Sequence, residues 1–182
     1  MDAQTKGRER LMIRSAGQTG IVMLVAAAAL VLGACGSAES RVEVTDAMRA
    51  DALERIAADE MPDYESWQMQ RTDDGVRFVE LVPGAGRTAW YDDEVRVHYK
   101  LWLTDGTFVD STFPDGVSTP FEFTVGDTRR VIDGWHEIIQ EMNEGSEVLA
   151  IVPWELGYGR RGRGDIPGRA DLVFSIRVLR IR

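Results

Sequence analysis

Residues 131–142 read VIDGWHEIIQEM, and this stretch decides how the rest of the domain must be built. Large apolar side chains recur in it at helical spacing: Trp135, Ile138, Ile139 and Met142. The spacing predicts one short helix from Gly134, with Gly145 as its stop signal. A helix that only fills space would carry Leu or Ala in its first turn. A glycine followed by the largest side chain instead suggests that another group closely approaches the backbone here and lies on the face of the indole.

The segments on both sides of this helix have the alternation typical of β-strands. They are VRFVELV at 76–82, EVRVHYKLWL at 94–103, TFVDST at 107–112, FEFTV at 121–125, EVLAIV at 147–152 and LVFSIRVLRI at 172–181. In the second of these, one face is predicted to carry Val95, Val97, Tyr99, Leu101 and Leu103, and the other Arg96, His98, Lys100 and Trp102. Many strands and one short helix predict an α+β fold, an antiparallel sheet whose single apolar face covers the helix. Ile138 and Met142 then pack inward, and Trp135 can form the floor of a cavity.

Composition restricts the possible functions. The chain has 182 residues and a formal charge of −9, and its basic excess is confined to residues 1–34. An acidic domain argues against nucleic-acid binding, which needs a basic face to displace counterions. Cys35 is the only cysteine, so no intramolecular disulfide can form.

The N-terminal segment 1–34 has the pattern of a signal peptide. A basic start precedes an apolar stretch from Ile21 to Leu32, which is short for a membrane span. It ends in Leu32-Gly33-Ala34-Cys35, which looks like a bacterial lipobox. The alternative is an uncleaved membrane helix with an incidental cysteine. The preferred interpretation is a mature chain that starts at lipidated Cys35 and is anchored to a membrane of the bacterial cell envelope.

Residues 35–74 are predicted to contain the lipidated cysteine, a tether and a short helix. Residues 36–44 are small and polar, and 45–61 have a weak apolar face, with Thr45 as the N-cap and Pro62 after the end. Such a helix either packs on the domain or spaces it from the membrane. A dimerisation arm is a third reading, although few large apolar residues make a poor coiled coil.

Residues 75–182 resemble the FKBP-type peptidyl-prolyl isomerases almost from end to end. The matching stretches follow in the family's order: VRVHY, DGTFVDST, PFEFTVG, VIDGW, ELGYG and IPGRADLVF. The resemblance implies a five- or six-stranded antiparallel sheet curved around one short helix, with an apolar pocket between them. Rotation about an X-Pro bond makes and breaks no covalent bond, so no cofactor or metal is expected.

Matching the motifs position by position assigns the pocket. The resemblance implies catalytic roles for Tyr99, Asp110, Tyr158 and Phe174, and substrate-binding roles for Val109, Phe121, Val131, Ile132, Trp135 and Ile166. Trp135 would be the floor under the proline ring. The Ile132 N–H and the Tyr158 hydroxyl would bind carbonyls of the peptide.

Two positions depart from the family pattern. The family usually has Phe directly before the Asp, but here Val109 holds that place after Phe108. A regular strand would point Phe108 to the opposite face, whereas a one-residue bulge would return it to the pocket. Gly168 replaces the second proline often found after Ile-Pro, which would soften the loop over the site.

The expected partners are proline-containing unfolded or nascent exported proteins and macrolide inhibitors, with the membrane reached through the lipid anchor. The alternative function is a weakly active or inactive binding module that acts as a chaperone or assembly partner.

Neither His98 nor His136 has a cysteine or a second histidine at the spacing of metal ligands, so both are interpreted as ordinary histidines. The arginine-rich run at 157–165 is interpreted as a flexible loop beside the pocket whose arginines steer acidic or unfolded clients.

Overall fold

The structure, a computed structural model, describes residues 41–113 and 116–182. The predicted signal peptide, Cys35 and the first part of the tether lie outside the described residues. Two helices and seven strands follow in chain order: α1 (Asp46–Ala57), β1 (Gln70–Arg71), β2 (Arg77–Val82), β3 (Glu94–Leu103), β4 (Phe108–Ser111), β5 (Phe121–Thr124), α2 (Asp133–Gln140), β6 (Glu147–Val152) and β7 (Leu172–Ile181).

The strands form one curved sheet in the order β1-β2-β6-β7-β3-β4, with β5 also paired to β3. Every pairing is antiparallel, which confirms the predicted sheet. The count is seven rather than five or six because the two-residue β1 adds a short edge strand. The long β3 pairs with β5 near its start and with β4 near its end.

Helix α2 packs against the concave face of the sheet as predicted, with Trp135, Ile138 and Ile139 buried. It begins at Asp133 and ends at Gln140, two residues before the predicted end at Met142. A Cβ atom placed on Gly134 would lie 2.4 Å from Cγ1 of Val152 on β6. The expected close approach is therefore one between α2 and β6, and only glycine fits it.

The prediction of a single apolar face is wrong, because the outer face of the sheet carries a second core. Trp102 is fully buried there, although its position in the alternation grouped it with charged residues. It belongs to a cluster under α1 and the following segment: Val44, Ala52, Ile56, Tyr64, Trp67, Val79, Leu81, Leu149, Ile151 and Val173. The buried strands β6 and β7 thus need apolar side chains on both faces.

Helix α1 packs on the sheet, which decides between the alternatives left open by its sequence. The Thr45 side chain caps its N-terminus by accepting from the Met48 N–H at 3.3 Å. Lys100, 9% exposed, donates to the Ile56 carbonyl at 2.6 Å and to the Asp59 carboxylate, and so caps the C-terminal end. The helix ends at Ala57, earlier than the predicted residue 61.

Within 41–113 and 116–182, no helix has the length and apolarity that a membrane span requires.

Candidate active site

The predicted site residues meet around one cavity of about 400 Å³ on the concave side of the sheet. Every residue of the predicted set lines it: Tyr99, Val109, Asp110, Phe121, Val131, Ile132, Trp135, Tyr158, Ile166 and Phe174. Five further residues line it: Leu101, Arg130, Arg163, Gly164 and Asp165. Leu101 and Arg130 were not expected there, whereas the other three belong to the arginine-rich run that was expected beside the pocket. The volume is within the range of cavities that bury a small ligand, about 300–1,000 Å³.

Trp135 is held by a cage of aromatic rings and is 4% exposed. Its ring centroid lies 5.2 Å from Tyr99, 5.5 Å from Phe174, 5.6 Å from Phe123 and 6.1 Å from Phe121. The rings meet edge to face, the geometry that the aromatic quadrupole favours. The indole is thus fixed in one orientation by partners from β3, β5 and β7.

Tyr99 and Asp110 form a hydrogen-bonded pair in the cavity wall. The Tyr99 hydroxyl donates to Oδ2 of Asp110 at 2.6 Å, and Oδ1 accepts from the Ser111 N–H at 2.8 Å. Burial, and then the hydrogen bond to Asp110, raise the pKa of the Tyr99 hydroxyl. Tyr99 therefore stays protonated at neutral pH and continues to donate to the carboxylate.

Two polar groups at the cavity are available to a ligand. Neither the Ile132 N–H nor the Tyr158 hydroxyl donates a hydrogen bond to any group in the described part of the chain. Burial raises the pKa of Tyr158, an effect that nearby Arg163 opposes. The hydroxyl is consequently a neutral donor at physiological pH. The indole Nε1 of Trp135 is a third donor without a partner among the described residues, and it is buried.

Strand β4 lines the cavity with Val109 and Asp110, and not with Phe108. The register between β3 and β4 shifts between Leu101 and Trp102, but this irregularity does not turn Phe108 inward. The Phe108 ring lies 5.9 Å from Trp102 on the outer face and is 42% exposed. Phe108 thus points away from the cavity, as expected for a regular strand, but β4 is irregular at Val109, and Val109 and Asp110 both line the cavity.

The loop after Tyr158 is closely packed at its base. Arg163 and Ile166 exchange two backbone hydrogen bonds of 3.0 Å each. A Cβ atom on Gly168 would lie 2.2 Å from the Arg160 carbonyl oxygen. The glycine that replaces the family's second proline therefore permits a close backbone contact with Arg160.

Two arginines, Arg130 and Arg163, line the cavity. The Arg130 guanidinium stands 5.6 Å from the Phe121 ring centroid, and that of Arg163 stands 5.8 Å from the Tyr158 ring centroid. Both distances fit cation–π contacts. In the sequence these arginines belong to two clusters, RR at 129–130 and RRGR at 160–163. The sequence alone does not show which arginines of the clusters face the cavity.

Both histidines are engaged in structural contacts. The ring nitrogens of His98 lie 2.8 Å from the Thr112 hydroxyl and 3.0 Å from the Ser118 hydroxyl. Nδ1 of His136 accepts from the Gly126 N–H at 3.0 Å. Burial lowers the pKa of both imidazoles, so they are neutral at pH 7. Across the described ranges, no group of three His, Cys, Asp or Glu side chains is arranged to hold a metal ion.

Comparison with known proteins agrees with this geometry. Residues 86–179 match the family model of FKBP-type peptidyl-prolyl cis-trans isomerases. The chain is 36% identical over 144 residues to the FKBP-type 22 kDa peptidyl-prolyl cis-trans isomerase of Escherichia coli, covering 76% of this chain and 68% of the relative. It is 38% identical over 103 residues to an FK506-binding protein of Neisseria meningitidis, covering 56% and 92%.

Solved structures show the same fold. The peptidyl-prolyl cis-trans isomerase of Pseudomonas syringae superposes with a TM-score of 0.57 at 27% identity, covering 76% of this chain and 96% of that one. FkpA of Escherichia coli superposes with a TM-score of 0.59, also at 27% identity, covering 75% and 63%. The matched family model spans the strands and the helix that form the cavity. The chain therefore belongs to the family of FKBP-type peptidyl-prolyl cis-trans isomerases.

Proposed function

We propose that the cavity above Trp135 isomerises X-Pro bonds in proteins exported to a bacterial cell envelope. One observation carries the proposal. Side chains from β3, β4, β5, α2, β7 and the loops around Tyr158 and Ile166 converge on a single cavity with an aromatic floor. Their identities agree with the pocket that the family resemblance assigns.

The chemistry needs a twisted imide and no covalent catalyst. Unaided rotation about an X-Pro bond faces a barrier of roughly 18–20 kcal/mol and takes tens to hundreds of seconds. The barrier arises from amide resonance, whose charge-separated form is stabilised by water. An aromatic cavity removes that water and so favours the less polar, twisted state. An acceleration of about a million-fold requires roughly 8 kcal/mol of differential stabilisation, which several contacts together can supply.

The residues divide into three proposed roles. The proline ring lies on Trp135, between walls contributed by Val109, Phe121, Val131 and Ile166. The Ile132 N–H and the Tyr158 hydroxyl, both free to donate within the described structure, bind the two carbonyls that flank the rotating bond. The Tyr99–Asp110 pair and Phe174 hold the wall against which the imide turns.

The same cavity is proposed to bind macrolide inhibitors. A related protein of Neisseria meningitidis is named an FK506-binding protein. The smaller Val109 in the wall is expected to weaken such binding, because less apolar surface is buried against the ligand.

Residues 1–35 are proposed to deliver the domain to the membrane as a lipoprotein. Growth of a bacterial host with labelled palmitate tests this: the wild-type chain should incorporate label, and Cys35→Ser should not. Equal labelling of both chains would contradict the proposal.

Direct measurement of cis–trans exchange in an X-Pro peptide by NMR tests the activity. The full-length chain should accelerate exchange at catalytic concentration. Val109 is the observation that favours the second candidate, a binding module with little turnover. A folded chain that binds proline peptides but leaves the exchange rate unchanged would support that candidate and contradict the first.

A further inference from the structure

We infer that the site selects peptides with one acidic side chain near the proline, through Arg130 and Arg163. The inference rests on the proposed isomerase function and names the substrate class of that same site. It concerns the opening of the cavity, where the residues differ in chemistry from the apolar floor.

A second, polar cavity adjoins the first. It has a volume of about 270 Å³ and is lined by Thr128, Arg129, Arg130, Val131, Ile132, Asp133, Gly157, Tyr158 and Arg163. The two cavities share five of these residues: Arg130, Val131, Ile132, Tyr158 and Arg163. A peptide whose proline lies on Trp135 and whose carbonyls meet Ile132 and Tyr158 therefore extends directly into the second cavity.

Arg130 and Arg163 line both cavities, and neither forms an ion pair with a carboxylate in the described part of the chain. Each stands over an aromatic ring of the wall. Arg130 also donates to the Glu122 carbonyl at 3.1 Å, which limits its freedom. Two oriented guanidinium groups with unused donors are the groups that bind a carboxylate in a charge-assisted way.

The charged residues around Arg130 and Arg163 restrict where an acidic side chain of the peptide can bind. Arg129 is already paired with Asp127 at 2.8 Å. Asp133 lines only the second cavity and Asp165 only the first, so an acidic side chain that misses the two arginines meets a like charge. Selection should therefore favour one acidic residue at one distance from the proline, and not a uniformly acidic peptide.

The wider charge distribution supports capture of such peptides. Residues 160–169 contain four arginines and one aspartate, whereas the whole chain has a formal charge of −9. This basic segment borders the cavity in an otherwise acidic protein. It raises the local concentration of peptides with negative charge, an effect that salt screens.

The test compares matched peptides, each with a single proline and either Glu or Gln at one of the two positions before or after it. The full-length chain is assayed by NMR exchange at low and at physiological ionic strength. At one position the Glu peptide should have a kcat/KM about five-fold higher than its Gln partner, as expected for one charge-assisted contact at a partly exposed site. Added salt should reduce this ratio.

Variants separate the arginines that line the cavities from the general charge of the loop. Arg163→Gln and Arg130→Gln should each bring the Glu/Gln ratio close to one. Arg161→Gln removes the same charge at a residue that lines neither cavity, so it should keep most of the ratio and lose only its part in the general attraction. Equal rates for Glu and Gln peptides at every position, or loss of the ratio in Arg161→Gln to the same extent, would overturn the inference. Turnover of the Gln peptides shows independently whether the isomerase proposal holds.

Discussion

The hydroxyl of Tyr99 on β3 and the carboxylate of Asp110 on β4 are joined by a 2.6 Å hydrogen bond across neighbouring strands. The bond couples the floor of the cavity to its wall, because the Tyr99 ring also lies 5.2 Å from that of Trp135. Burial contributes most to the raised pKa of Tyr99, and the bond to Asp110 adds to it. The arrangement has consequences for stability that can be measured apart from activity.

The free energy of unfolding should fall in alkaline solution, and Tyr99→Phe should reduce that fall. A raised pKa in the folded state means that the stabilisation is complete below the unfolded value, about 10, and is lost as the pH rises above it. Each such group contributes a slope of up to about 1.4 kcal/mol per pH unit. Tyr64 and Tyr158 also have a raised pKa, so the variant should keep part of the slope.

Urea unfolding between about pH 8 and pH 11 measures this difference. Identical slopes in the wild type and in Tyr99→Phe would mean that Tyr99 ionises as easily in the folded chain as in the unfolded one.

Gly134→Ala should destabilise the domain, although alanine is the better helix former. The gain in helix propensity is about 1 kcal/mol, whereas forcing a methyl group against Val152 costs about 1–3 kcal/mol. A double-mutant cycle with Val152→Ala isolates the clash, because the smaller side chain makes room for the new methyl group. Strictly additive effects in denaturant unfolding would contradict the close contact between α2 and β6.

Val109→Ala should lower kcat/KM for a proline peptide by about five-fold. The change removes two methyl groups from the cavity wall, at about 0.8 kcal/mol for each buried carbon, and Val109 is only half-buried. Phe108→Ala, at the next position, is the matched control, since its ring packs on Trp102 on the outer face. If Phe108→Ala lost activity and Val109→Ala did not, Phe108 and not Val109 would be the side chain that contacts the substrate, contrary to the structure.

Lys100→Met should destabilise the chain by about 2 kcal/mol, the contribution expected from hydrogen bonds made by a buried charged donor. Lys100 joins β3 to the end of α1 through the Ile56 carbonyl and Asp59. Hydrogen exchange should show α1 losing protection first. Arg177→Met, at an exposed position on β7, serves as control and should change stability by less than about 0.5 kcal/mol. Equal destabilisation by both changes would contradict the capping role.

The sequence predicted the concave half of the fold well, because alternation and helical spacing report which side chains are buried. It failed for the outer face. Trp102 stands between Leu101 and Leu103 in a strand whose outward positions otherwise carry charge, so the pattern did not show a second core. That core depends on α1, whose weak apolar face gave little indication of where it would pack.

The candidate site was predicted residue by residue from the family motifs, and the structure brings those residues together. The sequence placed the arginine-rich run beside the pocket, but it did not predict which arginines line the cavity. Arginines are commonly solvated, and only the three-dimensional placement shows that Arg130 and Arg163 stand over rings of the wall while Arg161 does not line the cavity. The sequence likewise left open whether Phe108 or Val109 faces the cavity, because this depends on the local geometry of β4.

The proposed isomerase activity requires that a proline turns on the indole of Trp135. NMR exchange of a short X-Pro peptide is measured with the wild type, Trp135→Leu and Trp90→Leu. Trp90 is 71% exposed and does not line the cavity, so it controls for the loss of a tryptophan. We expect Trp135→Leu to lose at least about ten-fold in kcat/KM, equivalent to about 1.4 kcal/mol of transition-state stabilisation, and Trp90→Leu to match the wild type. Full turnover by a Trp135→Leu chain whose amide spectrum shows it folded would contradict the claim.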